Sequence, residues 1–557
     1  MPAKVVIAGA GPTGMTLACE LRLAGVDVVV FDRLAARAEE SRANALQIRT
    51  MEVFDQRGFL EPFLREGKRL PSAHFSGLHF TMGHYPTRYP YSLLIRQSRV
   101  ERLIEARALE LGVRVRWSSE VTGLEQDDKR VAVELANGEW IEADYLVGCD
   151  GPRSAVRRLA GIGFPGTPST LTALLGDVQL DDPPDGQPIM EQREHGNITV
   201  LAHPGFSRVV TVEYDGAPDR SAPVDLADLR RAAIRIAGTD FGMRDPQWLS
   251  RFGDAARLAE RYRERRALLA GDAAHIHFPA GGQGLNVGVQ DAVNLGWKLA
   301  AVINGHAPDA LLDTYHAERH PVGQRLVENT RAQVALGRLD PQSTALRALF
   351  SRLMDTVEPV TRQLGEMITA LDVRYPLGDH HPLVGARVPD ADLNTAAGPR
   401  RLYTLLHTAR PVLLDLSGGS VLRLATDWSN LVDLVEAVPE LPRWSLPVTG
   451  EVESPAAVLI RPDGYVAWVG DDTDPAGLHR ALTTWCGALV PAVAWPEWLD
   501  LRFEWLAAKQ QYRRDRISRT PLGSSRRRGR HLRSGRGTHM QPATGSTARD
   551  AMTPTCG

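Results

Sequence analysis

Six residues near the amino end, Gly9-Ala10-Gly11-Pro12-Thr13-Gly14, have the composition and spacing of a phosphate cradle. Gly9 permits a tight turn, Gly11 lets a pyrophosphate approach the backbone, and Gly14 lets the following helix pack closely on a sheet. Pro12 and Thr13 lie in the same turn, where a helix start offers unpaired N–H groups and the positive end of its dipole. Asp32, eighteen residues past Gly14 and followed by Arg33, is placed to accept hydrogen bonds from an adenosine ribose. The chemistry these residues suit is dinucleotide binding. A glycine triplet alone could be any tight loop, so the elements around it decide. A β-branched run over 4–8 precedes it, a helical stretch continues to Leu23 and stops at Gly25, and a second apolar run spans 26–31. Strand, helix, strand and acid together make a βαβ unit.

NAD and FAD are not separated by that unit. Two later segments bear on the choice. In Tyr145-Leu-Val-Gly-Cys-Asp150-Gly151 a buried-type strand ends on Asp-Gly and a helix opens near Ser154. In Ala267-Leu-Leu-Ala-Gly271-Asp272 another strand ends on Gly-Asp, and the loop Pro279-Ala-Gly281-Gly282-Gln283-Gly284-Leu285-Asn286 opens a long helix to about Ala301. These segments resemble the Asp-Gly and Gly-Asp motifs of the class A flavoprotein monooxygenases, the para-hydroxybenzoate hydroxylase family. The chemistry of the second segment agrees. A reduced flavin carries negative charge over N1 and the C2 carbonyl, and a helix starting at 284–286 offers N–H donors there. Gly281 and Gly282 let the backbone lie against the ring. Asp272 is placed to accept from a ribityl hydroxyl.

The resemblance implies FAD as cofactor, held by Gly9, Gly11, Pro12, Thr13, Gly14, Asp32, Arg33, Arg42, Gln97, Val121, Asp150, Asp272, Pro279, Gly282, Gln283, Gly284, Leu285 and Asn286. Gln97 and Arg42 would lie near the pyrophosphate or ribityl chain, although either could instead be a surface residue. Ala45 stands where the antibiotic-modifying branch often has Gly, so the backbone beside the flavin departs from that pattern. Arg49 matches a recurrent position read as structural. Ser98, with Glu101 three residues on, reads as an N-cap and its capping-box partner.

The implied reaction is reduction of FAD by NADPH or NADH, addition of dioxygen at flavin C4a, and transfer of the distal hydroperoxide oxygen to an electron-rich ring. One dinucleotide fingerprint implies that NADPH or NADH binds transiently. The resemblance covers about 1–500 and is closest to the branch acting on aromatic polyketides, tetracyclines and rifamycins. A polycyclic aromatic substrate and dioxygen are therefore the expected partners, in antibiotic biosynthesis or in inactivation of a rifamycin- or tetracycline-like drug. An FAD oxidase or dehydrogenase that never oxygenates remains the alternative of another class. No residue identifies itself as a catalytic base.

Other features narrow the field. With 43% hydrophobic and 24% charged residues, the 557-residue chain has globular composition and is long enough for two or three domains. The net charge of −2 hides a basic tail, in which eleven arginines follow position 512 against Asp515 and Asp550. Its Ser, Gly, Thr and Pro content reads as a solvated disordered end over 513–557 rather than a nucleic-acid site. Cys19, Cys149, Cys486 and Cys556 have no redox or ligand spacing, which suits a reducing cytoplasm. No apolar run approaches the roughly 20 residues of a membrane helix. His275-Ile276-His277 could place two imidazoles on one side of an extended segment, but no third ligand is nearby, so no metal is expected.

The fold class expected is α/β: a Rossmann-like FAD-binding domain (1–75, 95–163, 265–345), an inserted β-sheet substrate domain (76–94, 164–264), a helical connector (346–384) and a thioredoxin-like domain without C-x-x-C (385–495). Phe75, His79, Phe80, Tyr91, His203 and Phe206 are candidate substrate-lining residues, with core packing as the competing reading. In the third unit, runs at 410–416 and 458–460 read as strands, and Asp463-Gly464 as a hairpin signal. That unit suits packing or dimer contact, and the protein is expected to be a monomer or homodimer.

Overall fold

The computed structural model describes residues 3–38, 42–184, 189–203, 205–214 and 223–488. The basic tail and the last residues of the third unit, 489–495, lie outside the described residues.

The central sheet has six strands in the order Arg263–Glu264, Ala267–Leu269, Tyr145–Gly148, Val5–Ala8, Val28–Phe31, Arg114–Arg116. Val5 lies opposite both Val28 and Tyr145, in parallel, and every pairing is parallel except at the Arg263–Glu264 edge. Val5–Ala8 and Val28–Phe31 are buried at every position, as apolar runs covered on both faces must be. Parallel pairing has one decisive consequence. The carboxyl ends of four strands lie along one edge, so the segments that follow them, which carry Gly9, Asp32, Asp150 and Asp272, gather there.

The helix Pro12–Leu23 packs on the long helix Gly284–Ile303, which is buried over most of its length. Two glycines permit that approach. A Cβ on Gly288 would lie 2.4 Å from Thr13 Oγ1, and one on Gly296 would lie 2.5 Å from Glu20 Cβ.

The inserted unit is a five-stranded antiparallel sheet in the order Ile189–Arg193, Gly196–His203, Phe206–Glu213, Thr172–Gln179, Arg244–Phe252. One face packs Val178, Val200 and Val209 against Leu229, Ala233 and Ile236 of the helix Leu226–Ala237. Neither that helix nor the two outer strands, Ile189–Arg193 and Arg244–Phe252, was anticipated from the sequence.

Three helices follow, Asp313–Leu336, Pro341–Thr356 and Glu358–Thr369. The first carries Pro321 inside it. The carboxyl-terminal unit is a sheet in the order Gly398–Arg401, Asp392–Thr395, Asp433–Pro439, Val412–Asp415, Ala457–Ile460, Val466–Gly470, with the helix Pro475–Cys486 packed on it. Asp463-Gly464 does form the hairpin turn, with Gly464 at φ +77°. Cys486 is buried there without a second cysteine beside it among the described residues.

Ionic clamps join this unit to the first. Glu318 receives both Arg461 guanidinium nitrogens at 2.8 Å and Lys298 Nζ at 2.8 Å, all buried. Arg57 binds the Glu20 carboxylate at 2.7 and 2.8 Å and donates to the Leu406 and Pro462 carbonyls. Arg49, fully buried, donates to the Asp463 carbonyl at 2.9 Å, which makes it a strut between the units.

Candidate active site

One cavity of about 2660 Å³ runs from the glycine turn, past the start of the long helix, to the open face of the five-stranded sheet. Its size suits two large ligands rather than one, since a single drug-sized site is about 300–1,000 Å³.

At the first end the glycines divide their work. Gly9 sits at φ +106°, and a Cβ there would lie 2.3 Å from the Cys149 carbonyl oxygen. On Gly14 it would lie 2.0 Å from the Gly9 carbonyl oxygen, so both positions are closed by neighbouring backbone. A Cβ on Gly11 would meet nothing within 4 Å, because Gly11 faces the cavity. No side chain caps the helix that starts there, and none caps the one starting at Gly284. Both therefore present N–H groups and positive dipole ends to the same space.

Carboxylates stand around these helix starts. Asp32 accepts from the Ala10 N–H at 2.8 Å and the Leu34 N–H at 2.9 Å, which fixes it at the rim. Asp150 Oδ2 accepts from the Ala155 N–H at 2.6 Å, while its Oδ1 is buried with no partner. Asp272 is exposed to the cavity. A buried carboxylate oxygen without a donor is costly in isolation, so it marks a place for a ligand hydroxyl.

Of the eighteen residues expected to hold a cofactor, all but Gly14 and Asn286 line this cavity. Gly14 stands behind the turn. Asn286 departs from expectation: its side chain is spent inside the wall, accepting from the Gln47 N–H at 2.8 Å and donating to the Gly282 and Ala45 carbonyls. Gln97 faces the cavity while tying down the segment that carries Arg42, since its Oε1 accepts from the Ala43 N–H at 2.9 Å. Ser98 is not an N-cap. The helix is Gln97–Glu110 with Arg96 before it, because the Gln97 N–H pairs with the Ala43 carbonyl across the gap. Glu101 instead accepts from the Gln97 side chain at 2.8 Å, and burial, with Asp32 and Glu105 nearby, pushes its carboxyl up to about 7.

His275 and His277 serve different partners. His275 Nε2 bonds Asp291 at 2.8 Å within a buried group that includes Arg319, and His277 Nδ1 bonds the Phe278 carbonyl at 2.7 Å. Among the described residues no group of three or more His, Cys, Asp or Glu is placed to hold a metal ion.

At the second end, Phe206, Arg208, Val210 and Val212 face the cavity, with Trp248, Phe252 and Phe278 nearby. Every second residue of the strand Phe206–Glu213 thus faces the chamber, as the pleat of a strand requires. His79, His203 and Phe206 line the chamber as anticipated. Phe75, Phe80 and Tyr91 do not. Phe75 and Phe80 are packed in the core between the hairpin 72–81 and the helices over 341–369, and Tyr91 packs on the core of the first unit beneath Arg69. Asp177, fully buried, holds Arg208 at 2.7 and 2.8 Å, and Arg208 donates to Asn44 Oδ1 at 2.9 Å. That pair ties the sheet to the segment carrying Arg42. Tyr214 accepts from Asn197 at 2.9 Å, which leaves its own O–H to donate, and burial pushes its phenol up to about 12. His74 Nδ1 accepts from the Gly77 N–H at 3.2 Å; burial and His79 lower it to about 4, so its proton sits on Nε2.

Residues 2–330 match the FAD binding domain family, and residues 381–488 match the family described as aromatic-ring hydroxylase, C-terminal. The 12-dehydrotetracycline 5-monooxygenase/anhydrotetracycline 6-monooxygenase of Streptomyces rimosus is 45% identical over 504 residues, 87% of this chain and 98% of that protein. The chain is an FAD-dependent aromatic-ring hydroxylase. Rifampicin monooxygenase of Streptomyces venezuelae is 44% identical over 491 residues, again 87% of this chain and 98% of that protein. The solved structure of an anhydrotetracycline hydroxylase from Streptomyces rimosus superposes with a TM-score of 0.81 at 45% identity, covering 88% of this chain and all of that one. The fold of this hydroxylase is thus the family's: a Rossmann-like FAD domain, an inserted sheet and a carboxyl-terminal unit. Among the described residues no helix is long and apolar enough to cross a membrane.

Proposed function

We propose that this hydroxylase oxygenates a bulky polycyclic phenol of the aromatic-polyketide type, with NADPH or NADH as electron donor. The observation that carries this reading is the single cavity joining the glycine turn and the start of the long helix to an apolar chamber on the inserted sheet. In this reading Gly9, Gly11, Pro12, Thr13 and Gly14 receive the pyrophosphate, with Gln97 and Arg42 beside it. Asp32 takes the adenosine ribose, flanked by Arg33 and Val121. Asp272 takes a ribityl hydroxyl, and the N–H groups at Gly284 and Leu285 face the flavin's N1 and C2 carbonyl, behind Pro279, Gly282 and Gln283. Asp150 accepts a cofactor hydroxyl through its unpaired Oδ1.

Bound and reduced, FAD supplies the activation of dioxygen. The chain's own part is to orient the ring and exclude water. Phe206, Val210, Trp248 and Phe278 supply apolar walls, and the Tyr214 O–H and His74 Nε2–H are fixed donors for substrate oxygens. Neither is a base at neutral pH, so the substrate's own phenol acidity provides the activated ring. The test is a panel of polycyclic phenols, including anhydrotetracycline, scored for stimulated NADPH consumption and for product mass. Failure of every member on both counts removes the reading. The similarity to rifampicin monooxygenase favours one second reading, oxidation of a rifamycin-type drug. Incubation with rifampicin and finding its mass unchanged would dismiss that.

A further inference from the structure

His277 lies in the loop that opens the long helix and lines the cavity. Its geometry is restrictive. Nδ1 lies 2.7 Å from the Phe278 carbonyl oxygen, and a carbonyl only accepts, so Nδ1 carries the proton and Nε2 is the bare nitrogen. That bare nitrogen stands at the uncapped start of the long helix. A Cβ built on Gly284 would lie 3.1 Å from His277 Nε2 and 3.9 Å from Asp272 Oδ1, so imidazole, carboxylate and helix start converge within a few ångströms. His277, Asp272 and Gly284 all line the cavity.

We propose that His277 is a proton store for the bound flavin, neutral while the flavin is oxidised and protonated at Nε2 while it is reduced. Reduction brings two electrons and one proton to the flavin and leaves it an anion, its charge centred near N1 and the C2 carbonyl, where the helix start lies. His277 Nε2 then takes one further proton from bulk water, forming an N–H bond and no bond to the flavin. Reoxidation returns that proton to water.

Electrostatics set the direction of both states. Burial holds the imidazole below its ordinary range; Asp272 works against this and His275 adds to it. The positive end of the helix also disfavours a charged ring. Arg257, across the strand pair from Ile276, is a further cation on the neighbouring strand, with its guanidinium on the Phe164 carbonyl at 3.0 Å. Against these, an anion within about 4–6 Å raises a group's proton affinity roughly tenfold to a thousandfold. The flavin's charge is the one contribution that appears and disappears with turnover. The inference needs bound FAD and is independent of which substrate is hydroxylated.

The experiment is an anaerobic redox titration of the FAD-loaded full chain against reference dyes, from about pH 5 to about pH 8, with the reduced spectrum recorded at each point. Each proton taken up with the electrons shifts the reduction equilibrium about tenfold per pH unit, equivalent to about 30 mV for a two-electron couple. The wild type is expected to shift about a hundredfold per unit within this window while the reduced spectrum stays that of the anionic flavin. His277→Gln is expected to shift only about tenfold per unit with the same spectrum. A role confined to bracing the Phe278 carbonyl would leave the slope untouched by the substitution, and that result overturns the proposal. So does a one-proton slope throughout in the wild type, or a neutral reduced flavin, which would put the second proton on the flavin itself. If His277→Gln does not retain FAD, His277→Asn is titrated in its place with the same expected one-proton slope, and a one-proton slope in the wild type overturns the proposal without any variant.

Discussion

At the scale of single residues, the glycine turn separates fold from function. Alanine at Gly9 must adopt φ +106° and clash with the Cys149 carbonyl, so Gly9→Ala is expected to cost several kcal/mol and leave little folded protein. Gly11 has φ −74° and open space around its Cβ position. Gly11→Ala should therefore change apoprotein stability by less than about 0.5 kcal/mol. It should still weaken FAD about ten- to a hundredfold, ~1.4–2.8 kcal/mol, by filling the space a phosphate needs. Thermal melts of apoprotein and fluorescence titration with FAD check the pair. Glu101 gives a pH prediction. Its carboxyl is raised from 4.5 to about 7, so the folded state binds more protons than the unfolded state in that interval. Stability is lost as pH rises through it. Glu101→Gln, which keeps the bond from Gln97, is expected to raise the melting temperature above pH 7, with the gain vanishing below about pH 4.5. The places of Gly9, Gly11 and Asp32 in the turn and at the strand end were legible in the sequence because each follows from local backbone chemistry at fixed spacing. Asn286 was not. Its amide joins segments 239 residues apart, from Gln47 to the flavin loop, and no local pattern encodes such a bond.

At the scale of elements, the pairing of the helices Pro12–Leu23 and Gly284–Ile303 depends on two small residues. Gly296→Ala is expected to destabilise the protein by about 1–3 kcal/mol through overpacking against Glu20, with FAD affinity nearly intact. Gly288→Ala should cost a similar amount and also weaken FAD, because the neighbour it displaces is Thr13 in the phosphate turn. Denaturant melts with paired flavin titrations distinguish the two. Elements were legible where a local signal set them, as in the continuous apolar runs Val5–Ala8 and Val28–Phe31 and the Asp463-Gly464 turn. It failed where a tertiary contact set the boundary. The helix Gln97–Glu110 starts at Gln97 because its N–H finds the Ala43 carbonyl, so the serine beside it has no capping to do. Phe75 and Phe80 looked like substrate walls by type, yet helices far along the chain cover them.

At the scale of the whole molecule, Glu318 is the charge that reconciles two buried cations from different units, Lys298 and Arg461. Glu318→Gln leaves Lys298 without a paired carboxylate and Arg461 with Asp463 alone, and is expected to destabilise by about 3–5 kcal/mol at neutral pH. The pH dependence has a definite sign. Arg461 and Lys298 hold the Glu318 carboxyl down at about 2 despite its burial. Its contribution is therefore complete above pH 4.5 and lost as pH falls toward 2, so wild type and variant should converge across that interval in pH-resolved melts. Such contacts, 143 residues apart for Glu318 and Arg461, could not be anticipated from the sequence, although the division into units could. The central claim is that this fold brings FAD, dioxygen and a polycyclic phenol together in one cavity and puts an oxygen atom into the ring. It is tested most directly by turnover of anhydrotetracycline with NADPH under oxygen-18 gas. The expected product is heavier by one oxygen-18 atom and forms in step with NADPH consumption. Consumption of NADPH that yields only hydrogen peroxide, with the phenol recovered unlabelled and unchanged, would contradict it.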